Sequence, residues 1–155
     1  MNPFGKELNA LLEKTYQNIG RRENAMVRDL SNGSITIGEL HTIERIGWRR
    51  EAGITVTEIA QEMIVTLPSV TATVKKLEKK GLVTKERSSV DARQVVIRLT
   101  DAGRHADVAH RYFHRKMVLS ISASIPDEEK PVLLQAMHRI NDFFDNRLHE
   151  LEEKQ

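Results

Sequence analysis

Thr55-Val56-Thr57-Glu58-Ile59-Ala60, then Thr66-Leu67-Pro68-Ser69-Val70-Thr71-Ala72-Thr73-Val74-Lys75-Lys76-Leu77-Glu78-Lys79-Lys80-Gly81-Leu82-Val83, then Asp91-Ala92-Arg93-Gln94-Val95-Val96-Ile97-Arg98-Leu99-Thr100: this succession decides the fold. Thr55 and Glu58 have capping-box spacing, the hydroxyl accepting from the third amide and the carboxylate reaching back. Ile59 and Met63 continue a short apolar stripe. Thr66 is the expected N-cap of a second helix, with Pro68 in the first turn, where a missing amide hydrogen costs nothing. Val70, Val74 and Leu77 recur at i, i+4, i+7, one turn after Leu67, and predict the buried face. Gly81 suits the left-handed position that ends helices. The other face carries Pro68, Ser69, Ala72, Lys75, Lys76 and Lys79, flanked by Thr71 and Thr73.

Beyond the glycine, residues 82–86 and 94–99 read as two strands, with Val95, Ile97 and Leu99 on one face and Gln94, Val96 and Arg98 on the other. The segment between them, from Arg87 to Arg93, is polar and too long for a two-residue turn. Helix, helix and basic hairpin in this order make a winged helix-turn-helix, a unit that sets one helix in the DNA major groove. Ser69, Thr71, Ala72 and Thr73, near the helix start, are the expected base readers. Hydroxyls bond either base class, and the alanine or threonine methyl can touch a thymine methyl. Lys75, Lys76 and Lys79, with Lys80 beyond them, suit phosphates, which position without specifying. Arg87 and Arg93 suit the narrow minor groove, with Asp91 bracing the loop. Residues 66–104 hold nine Lys or Arg against four Asp or Glu, a balance of about +5 within a chain of +2.

A chain of 155 residues suits one compact domain, or a small domain with dimerisation arms. There is no cysteine, which removes disulfides, thiol catalysis and cysteine metal sites and fits a reducing cytoplasm. No secretory signal and no apolar run of spanning length are visible. Motifs of the common hydrolases, phosphate-loop enzymes, dinucleotide binders and zinc proteases are missing, so an enzyme is not expected. The acids Asp127, Glu128 and Glu129 sit at a helix start, where the dipole favours them without any catalytic role.

The remaining chain reads as helices around the reader. Residues 3–30 carry Phe4, Leu8, Leu11, Thr15 and Ile19 on one stripe. Ser31 to Ser34 is a turn. Thr36 and Glu39 form a second capping box, opening a helix to about Gly47 with Ile37, Leu40 and Ile43 inward. Trp48 to Gly53 is a polar connector. Thr100 caps a helix to about Ala123. Pro126 opens the last helix, with Leu133, Met137, Ile140, Phe144, Leu148 and Leu151 in a stripe, and Pro131 inside its start is expected to kink it. The fold class is therefore mainly α with a small β-hairpin wing: an N-terminal dimerisation helix over 1–34, the reader over 35–100 and C-terminal dimerisation helices over 101–155. The outer stripes lack a partner in so short a chain, and a two-fold homodimer would cover them and offer two recognition helices to a palindromic operator.

Thr55 to Ala60, the helix ending Leu77-Glu78-Lys79-Lys80-Gly81-Leu82-Val83, Asp91-Ala92-Arg93 and Leu99-Thr100-Asp101-Ala102-Gly103 resemble the MarR family of bacterial transcription regulators over nearly the whole chain. The resemblance implies a winged-helix homodimer whose ligand alters the separation of the recognition helices. Leu40-His41-Thr42-Ile43, Met63 to Leu67, Val70-Thr71 and the run His110, Phe113, His114, Met117, Val118 are similar to the FabT-type branch, repressors of fatty-acid biosynthesis genes. That branch implies a long acyl chain on acyl carrier protein as corepressor and double-stranded DNA as partner. The longer connector after Trp48 and Pro131 depart from the branch.

Where the second and fifth helices meet, Leu40, His41, Glu44, His110, Phe113, His114 and Met117 are the effector-site candidates. His110 and His114 at i, i+4 share a helix face, and His41 or Glu44 would complete a metal site with them. A zinc-responsive regulator on those residues is thus one alternative to an acyl-responsive repressor that needs no cofactor. Histidines that bond a backbone carbonyl or switch with pH are another. Release from DNA by a small aromatic or phenolic ligand, and an architectural DNA binder without effector, also stay open; the last would bind with strong salt dependence and little sequence preference.

Overall fold

Capping chemistry sets most helix starts where the sequence puts them. The computed structural model describes residues 1–31, 33–49, 52–88, 91 and 93–152, with side chains described through residue 146. Its elements are α1 (Pro3–Ser31), α2 (Ile37–Trp48), α3 (Val56–Met63), α4 (Leu67–Lys79), β1 (Val83–Arg87), β2 (Val95–Leu99), α5 (Asp101–Ala123) and α6 (Lys130–Glu152). Both predicted capping boxes form: Thr36 with Glu39 at α2, and Thr55 with Glu58 at α3. Thr100 Oγ1 accepts from the Gly103 amide at 3.1 Å and opens α5. The connector expected at Trp48–Gly53, the turn expected at Ser31–Ser34 and the wing loop include residues 50, 51, 32, 89, 90 and 92, which lie outside the described residues.

Chain contacts divide at the middle of α5, into Met1–Phe113 and His114–Gln155. The first unit has a continuous apolar core. Leu40, Ile43 and Ile46 from α2, Ile59 from α3, Val70, Val74 and Leu77 from α4, and Val83, Ile97 and Leu99 from the hairpin are buried together, with Val27 of α1 and Ala106 of α5. Each fully buried Leu or Ile contributes roughly 1.5–3 kcal/mol through apolar burial. The α4 face predicted from periodicity is buried at Val70, Val74 and Leu77, while Leu67, at the helix start, stays exposed. β1 and β2 pair antiparallel, from Val83 opposite Leu99 to Arg87 opposite Val95.

The structure adds to the hairpin and moves the start of the last helix. Just after the Trp48–Gly53 segment, Ile54 and Ile97 exchange both backbone hydrogen bonds, so Ile54 extends the hairpin as a third short rung. Val96, on the face shared with Gln94 and Arg98, is buried, and Gly53 packs on it; a Cβ at Gly53 would stand 2.9 Å from Val96. Val95 is exposed because it lies at the far end of the hairpin, past the core. The last helix starts at Lys130 rather than Pro126, which puts Pro131 in its first turn, where it fits without a kink.

Close approach fixes α5 on the reader. A Cβ at Gly103 would fall 2.0 Å from the Leu82 carbonyl oxygen, and one at Gly47 would fall 2.6 Å from the Asp107 carboxylate. Gly81, at φ +70°, ends α4 as expected, and its carbonyl accepts from the Thr100 hydroxyl. Ile64, between α3 and α4, is also left-handed, at φ 54°, an unusual state for a β-branched residue. At the end of α2 the Arg45 guanidinium covers the Trp48 ring at 4.1 Å from its centre, and Glu62 of α3 pairs with both Arg45 and Arg49.

In the second unit, no described side chain is buried. Leu133, Met137 and Phe144 of α6 are exposed, and Leu148 and Leu151 lie outside the described side chains. No helix among the described residues is long and apolar enough to cross a membrane.

Candidate nucleic-acid interface and effector site

Burial of Val70, Val74 and Leu77 turns the opposite side of α4 to solvent. Ser69, Thr71, Ala72, Lys75, Lys76 and Lys79 are exposed, and Thr73 is half-buried. The N-cap Thr66 makes no side-chain capping bond, so its hydroxyl and the first amides of α4 stay open. Thr71 donates to the Leu67 carbonyl at 2.8 Å and Thr73 to the Ser69 carbonyl at 3.0 Å.

Lys80 does not share the outward role expected of it. Its ammonium bonds both Glu39 oxygens, at 2.7 and 2.6 Å, clamping the end of α4 to the start of α2. Burial alone would raise the Glu39 carboxyl. The bonds from Lys80 and Thr36 and the Lys80 charge outweigh it, and the carboxyl sits below its ordinary value.

Arg87 and Arg93 flank the wing loop and are exposed. Asp91 braces the loop as its position suggested: its carboxylate accepts from the Arg93 amide at 3.0 Å, and its own amide donates to the Ser88 hydroxyl at 3.3 Å. Arg98 pairs with Glu86 across the hairpin at 3.0 Å.

The effector candidates separate. His41, Glu44 and His110 come together where α2 meets α5: the two imidazole rings lie 5.6 Å apart, and His110 Nδ1 stands 3.4 Å from a Glu44 oxygen. His110 is fully buried, and Leu40 is fully buried in the core. Phe113 is half-buried at the end of the first unit; His114 and Met117 belong to the second. The acid that completes the group was missed. Glu23 of α1 is buried, its carboxylate lies 3.9 Å from His41 Nε2, and donor atoms of Glu23, His41 and His110 all fall within 4.8 Å of one another. Its signal was an acid on an apolar row, between Ile19 and Val27 at four-residue spacing. Two imidazoles and a carboxylate are a donor set that suits zinc and similar divalent ions.

A cavity of about 1070 Å³ lies elsewhere, between the end of α2, the base of the hairpin and the first turns of α5, with Ile46, Thr84, Arg98, Leu99, Arg104 and Asp107 in its wall. Burial pushes the Asp107 carboxyl up, although Arg111, 2.7 Å away, opposes the shift; Glu44 adds to it.

This geometry has known counterparts. Residues 33–95 match the model of the MarR family. The crystal structure of Streptococcus pneumoniae FabT in complex with DNA superposes with a TM-score of 0.84 at 30% identity, covering 91% of this chain and 97% of that one. Two Bacillus subtilis proteins also match: the uncharacterised HTH-type transcriptional regulator YhjH, 32% identical over 57% of this chain and 51% of its own length, and YdgJ, of the same description, 26% identical over 60% and 57%. The chain thus spans about half the length of these two curated relatives. It belongs to the MarR family of winged-helix transcription regulators, which are not enzymes.

Proposed function

We propose that this chain is a homodimeric, DNA-binding repressor of fatty-acid biosynthesis genes, with a long acyl chain on acyl carrier protein as its corepressor. The observation that carries the reading is the likeness to FabT, a protein crystallised on DNA, along almost the full length of both chains. In this proposal Ser69, Thr71, Ala72 and Thr73 meet base edges. Lys75, Lys76 and Lys79 neutralise phosphates, and Arg87 and Arg93 enter the minor groove. The exposed apolar rows of α1 (Phe4, Leu11, Tyr16) and of α6 (Leu133, Met137, Phe144) support dimerisation by residues 1–34 and 101–155, because rows of this kind are covered in a stable protein. The protein acts in the cytoplasm.

A second reading has an observation of its own. Glu23, His41 and His110 place three donors of two chemical types at mutual metal-ligand distance, across α1, α2 and α5. In that reading the effector is a divalent ion such as zinc. Glu44, beside His110 Nδ1, is then an orienting group rather than the ligand expected from the sequence.

The test is a titration of the protein on promoter DNA from a fatty-acid synthesis operon, at fixed salt, alone, with long-chain acyl carrier protein, and with zinc against a chelator control. Tightening by the acyl carrier supports the first reading, and a response to zinc alone the second. Arg93→Ala is expected to weaken binding by about 1–3 kcal/mol; unchanged affinity removes the wing from the interface.

A further inference from the structure

The first half of α4 presents an apolar reading head. Opposite the buried line of Val70, Val74 and Leu77, the outward centre falls on Pro68 and Ala72. Leu67, at the helix start one turn before Val70, lies off this centre and is 47% exposed. Between Thr66 and Lys80 there is no Arg, Asn or Gln, so the side chains that read guanine or adenine with two parallel bonds are missing, apart from lysines that begin two turns into the helix.

The hydroxyls beside this head are constrained too. A threonine has one hydroxyl hydrogen, and Thr71 and Thr73 both donate theirs to the carbonyl four residues back. What remains on each is an acceptor lone pair and a methyl group. Ser69, like the N-cap Thr66, is left with a hydroxyl hydrogen that no described partner takes.

From this arrangement we propose that α4 specifies its DNA through thymine 5-methyl groups: Pro68 and Ala72 pack on thymine methyls in the major groove, and Thr71 accepts from the exocyclic amine of an adjacent adenine. The proposal rests on the reading of α4 as the recognition helix and names the class of sequence it recognises, half-sites of A·T pairs with thymines at the contacted steps. Guanines are not its anchors. Each methyl that leaves water against this surface is worth about a fourfold change in affinity.

The experiment selects from random duplexes, long enough for two half-sites a helical turn apart, with the full-length protein at physiological salt. The best-bound duplex is then rebuilt with deoxyuridine in place of each thymine in turn, which removes only the methyl. The expected result is a thymine-rich motif in which two or more uridine replacements per half-site each weaken binding about fourfold. Ala72→Gly abolishes the sensitivity at one of those positions, and circular dichroism shows the variant folded. A motif indifferent to uridine overturns the proposal and leaves α4 as the reader by other contacts. So does a motif anchored on guanines, in which 7-deazaguanine costs more than uridine. Equal binding of all sequences overturns the proposal together with the reading beneath it.

Discussion

The reader and the second unit are both built from amphipathic helices, yet only one of them has an inside. In Met1–Phe113 the apolar face of α4 meets α2, α3 and the hairpin, and side chains from all four elements are buried to completion. In His114–Gln155 the same kind of stripe is present, and no described side chain on it is buried. Periodicity therefore predicts that a helix has an apolar face; it does not say where the covering surface comes from. For the reader, that surface is a neighbour in the same chain. For α6 the proposed dimer supplies it, so the fold of the second unit is tied to protein concentration in a way that the reader's core is not.

The largest effect that breaks this contrast is on the reader. Gly103→Ala puts a methyl group 2.0 Å from a backbone oxygen, where no flexible side chain can give way. It is expected to cost more than about 3 kcal/mol and to leave the reader unfolded or detached from α5, as checked by urea unfolding and by loss of DNA binding. Gly38→Ala, with nothing within 4 Å of its Cβ, serves as the control and leaves stability level or slightly higher.

Next comes the second unit. Leu133→Asp with Phe144→Asp is expected to raise the dimer dissociation constant at least about 100-fold, measured by sedimentation equilibrium. The reader's helices remain visible by circular dichroism. A dimer of unchanged affinity would show that this row is not the interface.

The Glu39–Lys80 clamp sharpens the comparison through pH. Glu39 has a depressed pKa, so its contribution is fully present above the ordinary value of 4.5 and is lost as pH falls through the lower folded value. Lys80→Met is expected to cost about 2 kcal/mol at neutral pH, since it leaves a buried carboxylate without its partner. The gap between the two proteins closes as pH drops below 4.5. A gap independent of pH would mean that the lysine contributes packing alone. The smallest effect runs the other way: Ile64→Asn relieves a left-handed β-branched residue and is expected to add about 1 kcal/mol, read as a higher melting temperature.

Much of this molecule is legible in its residues because the signals are local. Both capping boxes, the α4 stripe, the Gly81 stop and the Asp91 brace each depend on groups within a few positions of one another. What escaped the sequence is long-range. Lys80 looks like its lysine neighbours until Glu39, 41 residues away, is placed beside it. Glu23 joins His41 and His110 only when three helices have packed. The start of α6 was set too early because Pro126 and the acids after it mimic a helix opening, while those three acids, Asp127 to Glu129, form a turn and the helix begins at Lys130. The burial of Val96 has no local signal because its cover, Gly53, sits in a segment with no strand pattern of its own.

The stacking of Arg45 on Trp48 gives the chain a built-in optical reporter. Trp48 is the only tryptophan, it is 56% exposed, and the guanidinium on its face also pairs with Glu62 of α3. Any event that shifts α2 against α3 must move that cation relative to the indole, and a nearby positive charge alters the indole's emission. The posture of the helix pair that carries α4 can thus be followed in solution by intrinsic fluorescence, without a dye, a label or a mutation.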